Sequence, residues 1–151
     1  MKRKLWTLLL ALGAALALCV GASATNGTKL ETSHGGQTLS SGEYYLDGDV
    51  TISQTITVSG TVTLDLNGHV LQYKNDSTNG SVIKVESGGH LTIQDSNTGS
   101  LSHKFTPNSD GLWVLDENGS ETIPGGVITG GTGTQWDQYY RGGGVYVAPG
   151  G

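Results

Sequence analysis

Three stretches of this chain open alike. Ile56-Thr57-Val58-Ser59-Gly60 runs on into Thr61-Val62-Thr63-Leu64. Ile83-Lys84-Val85-Glu86-Ser87-Gly88-Gly89 runs on into His90-Leu91-Thr92-Ile93. Val145-Tyr146-Val147-Ala148-Pro149-Gly150-Gly151 repeats the opening and stops at the corner. Apolar and polar residues alternate in each, which marks a strand buried on one side, and small residues then punctuate it. Val58 and Val85 are 27 positions apart, and Val85 and Val147 are 62 apart. The second interval fits two to three such units with an insertion. A unit that recurs like this cannot bury its apolar face alone and has to stack on its neighbours.

The longest alternating run, 56–73, refines the expectation. Ile56, Val58, Val62, Leu64, Leu66 and Val70 fall on a period of two, and Thr57, Thr61, Thr63 and Asp65 fill the other face. Gly60 and Asn67-Gly68 break it into short strands with tight corners. Val58, Leu64, Leu66, Val85 and Ile93 are therefore expected to point inward, with Thr63, Asp65 and Lys84 outward. A coil of strands, each paired in parallel with its predecessor at a spacing of ~4.8 Å, satisfies the pattern. The competing all-β architecture is an up-and-down barrel or sandwich. That would use Asn67-Gly68 and Asn118-Gly119 as two-residue hairpin turns. The strand–corner–strand unit favours the coil.

The first 24 residues stand apart. Lys2, Arg3 and Lys4 form a basic head, an apolar run follows over 5–20, and Ala22-Ser23-Ala24 supplies a cleavage pattern. This reads as a secretory signal peptide, with the mature chain starting at Thr25. The run is short for a membrane span, which needs ~20 apolar residues. Lipidation of Cys19 would want a small residue before it, where Leu18 stands. Cleavage removes the single cysteine, so the mature chain forms no disulfide and must be held by its core and backbone ladder. Loss of the three basic residues moves the formal charge from −5 to −8, with five basic residues left against 13 acidic. Such a surface is a poor match for nucleic acid or an anionic membrane. Residues 25–36 read as an irregular polar leader. Residues 37–151 read as the folded segment, with insertions near 102–124 and 130–142. Within the first insertion, Leu112-Trp113-Val114-Leu115 is the expected strand.

Taken together, LDLNGHVLQY, SVIKVESGGHLTIQDSNTGSL and GGVITGGTGTQWDQYYRGGGVYVAPGG resemble the right-handed parallel β-helix proteins of the pectin-lyase-like superfamily. More narrowly, the chain is similar to large secreted surface proteins of gut Gram-positive bacteria, in which GGxITGG and GGGVYV units recur. The resemblance covers about residues 36–151. It implies an all-β, right-handed parallel β-helix, the N-terminal portion of a longer solenoid. The function it implies is that of an exported cell-surface scaffold or adhesin-like module. Alternatives are the N-terminal part of a polysaccharide lyase or hydrolase, and a carbohydrate-binding module. Since the third repeat stops at its corner, residues 25–151 alone are expected to self-associate or fray from Gly142 onward.

No constellation of catalytic residues emerges. Asp65, Asn67 and His69 alternate and could form an acid–base row on a polysaccharide groove, but as a corner and a solvated face they read as structure. Arg141, with Asp137 four residues away, lacks the acidic partners a lyase of this superfamily uses around calcium. Close aspartates of the hydrolase kind are also missing. Asp110, Asp116, Glu117 and Glu121 read as a solvated acidic loop rather than a calcium loop. The glycine runs open no helix to cradle phosphate, and the four histidines show no i, i+4 ligand pairing. No cofactor or metal is expected. Trp136, Tyr139, Tyr140 and Tyr146 are the candidate contacts, because flat aromatic faces stack on sugar rings. The partner they imply is a polysaccharide or host glycan.

Overall fold

In the computed structural model, which describes residues 27–75, 80–136 and 139–151, almost every element is a strand. The strands at 134–136 and 139–141 are described by their backbone alone. The expected signal sequence, Cys19 and the expected cleavage site before Thr25 lie outside the described residues.

The chain is all-β, and its main sheets are parallel. One sheet is built from β1 (Thr28–Lys29), β2 (Thr38–Tyr45), β4 (Ile56–Asp65), β6 (Ile83–Val85), β7 (His90–Gln94) and β14 (Val145–Val147). A second holds β3 (Val50–Ile52), β5 (Val70–Tyr73) and β11 (Val127–Thr129). β4 is long enough to carry β6 and β7 end to end on one edge. Ile56, Thr57 and Val58 pair with Ile83, Lys84 and Val85, and Thr61 through Asp65 pair with His90 through Gln94. β14 then pairs with β6 in the same phase, Val145 on Ile83 and Val147 on Val85. The three sequence repeats are thus register partners.

This register puts like residues over like. Ile56, Val58, Val62, Leu64, Leu66, Ile83 and Val85 join Leu39, Leu46, Ile52, Leu71 and Tyr73 in one buried cluster. Leu30 belongs to it as well, so the leader contributes to the core despite its polar composition. Burial falls from level to level: Val58 is 1% exposed, Val85 3% and Val147 53%. The same gradient corrects one expectation. Ile93 is 41% exposed although it pairs with Leu64, which is 3% exposed. Among the described residues β7 has a strand only on its β4 side, so nothing covers Ile93 from above.

Asn67-Gly68 is a corner, as its place in the alternation reads, and carries β4 into the other sheet. It also resets the phase of the chain, which corrects the expectation that Val70 stays in step with Leu66. Asn67 adopts φ 47° and Gly68 φ 80°, a left-handed pair that a side chain at Gly68 would resist. Beyond it Leu71 and Tyr73 face the main cluster, with Val50 and Ile52 as their register partners. Val70 and Gln72 therefore face the opposite side, yet they are buried too. An antiparallel unit covers them, made of β8 (Ser102–Pro107) flanked by β9 (Trp113–Leu115) and β10 (Glu121–Pro124). The backbone N–H of Leu115 donates to Gln72 Oε1 at 2.7 Å. Phe105, fully buried and outside the main cluster, lies on the same face of β8 as His103. The first insertion thus holds three strands where the sequence announces one. Asn118-Gly119 carries the chain over Phe105 from β9 to β10, which do not pair with each other.

The remaining strands, β12 (Thr134–Trp136) and β13 (Tyr139–Arg141), form an antiparallel hairpin. It leaves the sheet level between β11 and β14.

Candidate functional site

The corners where one parallel sheet gives way to the other hold most of the polar chemistry. Asp65 ends β4, and the chain turns directly after it. Its Oδ1 accepts the backbone N–H groups of Asn67 and Ser96, both at 2.9 Å, and its Oδ2 accepts Gln94 Nε2 at 3.2 Å. Asp95 stands one level further on. Its Oδ1 accepts the Gly68 N–H and its Oδ2 the Gly126 N–H, each at 2.6 Å. Asp49 Oδ1 accepts the Val70 N–H at 2.8 Å. Asn67 Nδ2 donates to Leu46 O at 3.0 Å. Each side chain ties its own turn to an adjacent level, where the corner backbone leaves the sheet ladder and needs other partners.

Asp65 is therefore not the outward, solvated residue its alternation predicts. It is 8% exposed, drawn in by donors from two levels. Burial pushes its carboxyl up. The Ser96 N–H and hydroxyl, then the Asn67 N–H and Gln94, outweigh that and hold it below the ordinary 3.8. Because the folded value is depressed, the stability this carboxylate contributes is complete above about pH 3.8 and is lost as pH falls through the folded value. Asp65→Asn keeps the shape and removes the charge. Thermal melts should show a deficit in the variant at neutral pH that narrows as the pH drops below 3.8. A deficit that stays constant with pH would assign its stability to something other than the carboxylate.

The acid–base row of Asp65, Asn67 and His69 does not assemble. Asp65 is filled with donors, Asn67 turns to Leu46 O, and His69 Nδ1 faces Asp49 Oδ1 at 3.6 Å. The acidic residues of the first insertion do not converge either. Asp110 lies in the turn before β9, beyond the end opposite Asp116, Glu117 and Glu121. Asp116 accepts the Asn118 N–H and the Thr106 hydroxyl. Among the described residues, no group of three or more His, Cys, Asp or Glu side chains is placed to hold a metal ion. A void within the core, lined by Leu30, Leu39, Val62 and Leu91 among others, measures about 10 Å³. That is no more than one water needs, so the space cannot take a ligand.

Of the four aromatic candidates, the side chains of Trp136, Tyr139 and Tyr140 lie outside the described part, as do Asp137 altogether and the side chain of Arg141. Tyr146 is half-buried on β14. Its register partner is Lys84, which pairs with Thr57 below, so Tyr146 stands on the outward row between the inward Val145 and Val147. The hairpin returns directly to it, since a Cβ on Gly142 would stand 2.6 Å from Tyr146 Cα. Lys84 pairs with Glu86 at 2.9 Å beside this row.

Sequence spacing conceals one cluster. His103 Nδ1 stands 3.4 Å from Asp49 Oδ2, and the His69 and His103 rings lie 6.5 Å apart. These residues come from three separate segments, and the alignment of corners that unites them appears only with the register.

The fold and corners define an all-β protein with mainly parallel sheets and carboxylate-bridged turns. Compared with known proteins, the chain matches no protein-family model, no curated protein and no solved structure.

Proposed function

We propose that this chain is an exported, non-catalytic surface module, a scaffold or adhesin-like segment of a right-handed parallel β-helix that engages a polysaccharide or host glycan. The observation that carries this reading is the outward row on the main parallel sheet. Thr57, Lys84 and Tyr146 occupy successive levels in one register, and the 134–141 hairpin rejoins the sheet beside Tyr146. A row of outward side chains on successive levels gives an extended polymer several contacts in line. A tyrosine among polar neighbours is the residue type that stacks on a sugar while hydrogen-bonding at its edge. The corner carboxylates support the non-catalytic part, because Asp65 and Asp95 spend their acceptor capacity on backbone N–H groups and Gln94.

The test uses chain secreted from a Gram-positive host, whose N-terminus should be found at Thr25. Applied to an array of bacterial and host glycans, it should retain a subset of polymers. Tyr146→Ala should weaken that binding about tenfold, ~1.4 kcal/mol, with the chain still folded at the assay temperature. Retention of no glycan, or equal retention by the variant, would remove the glycan from this reading. Material held inside the cell would remove export.

A further inference from the structure

His103 is the point at which the antiparallel unit β8–β10 grips the corners of the parallel sheets. Its Nε2 lies 2.6 Å from Gly68 O. A carbonyl oxygen can only accept, so the proton of that contact sits on Nε2. Its Nδ1 lies 3.4 Å from Asp49 Oδ2, an ion-pair distance rather than that of a short hydrogen bond. An ionised carboxylate is likewise acceptor-only. The Val70 N–H donates to Asp49 Oδ1 at 2.8 Å, so the other oxygen is the one that faces the ring. A neutral ring protonated on Nε2 would therefore turn a lone pair toward the carboxylate. Moving the proton to Nδ1 would set a lone pair against Gly68 O instead. Only the ring that carries both protons satisfies both neighbours.

We propose that His103 is held as an imidazolium, and that its charge is a pH-sensitive latch fastening the β8–β10 unit over β5. The surrounding charges agree with this. Asp49 comes from the corner between β2 and β3. Asp95 lies across the Gly68 peptide, where its Oδ1 takes the Gly68 N–H at 2.6 Å and enriches the carbonyl that His103 contacts. His69 comes from the corner between β4 and β5. Its Nδ1 is 3.6 Å from Asp49 Oδ1, and its side chain is 20% exposed against 10% for His103. One carboxylate lies between two imidazoles, and His103 is the ring engaged at both nitrogens. On the antiparallel unit itself, Glu121 shares the His103 face at an exposed position, and Lys104 occupies the opposite face. Loss of the proton leaves the Gly68 contact and turns the Asp49 contact repulsive. The latch is closed in acid and slackens as pH rises.

Two measurements on the full secreted chain test this. Ring ¹⁵N spectra should show both nitrogens of His103 protonated near pH ~5, with Nδ1 giving up its proton toward pH ~8, the span over which histidine changes charge. Amide exchange, corrected for intrinsic rate, should show the Leu115 and Gly125 N–H groups losing about tenfold in protection over the same span. The Glu86 N–H, bonded to Val58 O within the parallel sheet, should hold steady. His103→Gln keeps a donor for Gly68 O without the charge and should give low, pH-independent protection. Asp49→Asn, which keeps an acceptor for Val70, should do the same. The latch is overturned if wild-type protection is flat with pH, or if both variants retain the wild-type pH dependence. It is also overturned if a chelator strips protection at pH ~5, since a bound metal ion would then occupy the gap between His103 and Asp49.

Discussion

Gly60→Ala is expected to cost ~3 kcal/mol or more, at or above the upper end of what overpacking usually costs. β2 and β4 pair in parallel, but the register slips between Leu39 and Ser41, where Ser40 faces both Ser59 and Gly60. This is a bulge, with one extra residue on β4. It brings the two backbones so close that a Cβ on Gly60 would fall 1.4 Å from Ser40 O. A carbonyl oxygen fixed in a sheet cannot swing aside as a side chain can, so the ladder itself has to part. The strands that would separate carry Leu39, Val58, Val62 and Leu64, the centre of the core. Gly48→Ala is the control. A Cβ there meets nothing within 4 Å, so the change should be neutral or should stabilise by ~0.4–1 kcal/mol through the unfolded chain. Urea denaturation of both variants checks the pair. A Gly60→Ala midpoint within error of wild type would mean that the bulge is not held as described.

The alternation of Ile56, Val58, Val62 and Leu64 was legible because a strand buried on one face writes its period directly into the sequence. Pairing of the repeats at Ile83 and Val145 was legible for the same reason. Three things were not. Phase across a corner depends on how many residues the turn consumes, so Val70, in step with Leu66 on paper, lands on the opposite face of its sheet. Burial of Asp65 depends on donors from Ser96 and Gln94, about thirty positions away, which no local pattern announces. The meeting of Asp49, His69 and His103 requires both the stacking of corners and the return of the inserted strands. In each case the missing information was tertiary register. The aromatic group was legible only as composition, and of its members Tyr146 is the one whose side chain falls in the described part, on the outward row with Lys84.

Leu64 and Ile93 are register partners of similar size, yet their truncation should differ severalfold. Leu64 lies inside the cluster at 3% exposure, and its removal leaves a cavity walled by the surrounding strands. Leu64→Ala should therefore cost ~2–5 kcal/mol. Ile93, at 41% exposure, already gives part of its surface to water. Little apolar area is uncovered when it is shortened, so Ile93→Ala should cost ~1 kcal/mol or less. Thr63→Ala, half-buried on the outward face between Val62 and Leu64, should stay within ~0.5 kcal/mol. Urea midpoints read at a common slope separate the three. Equal mildness of Leu64→Ala and Thr63→Ala would mean that the assigned register is wrong. A large cost for Ile93→Ala has a different meaning. It would require the free edge of β7 to be covered in solution, because only a strand laid against that edge could bury Ile93 as deeply as β4 and its neighbours bury Leu64. Repeating the measurement at several protein concentrations would then decide whether the covering strand comes from a second molecule.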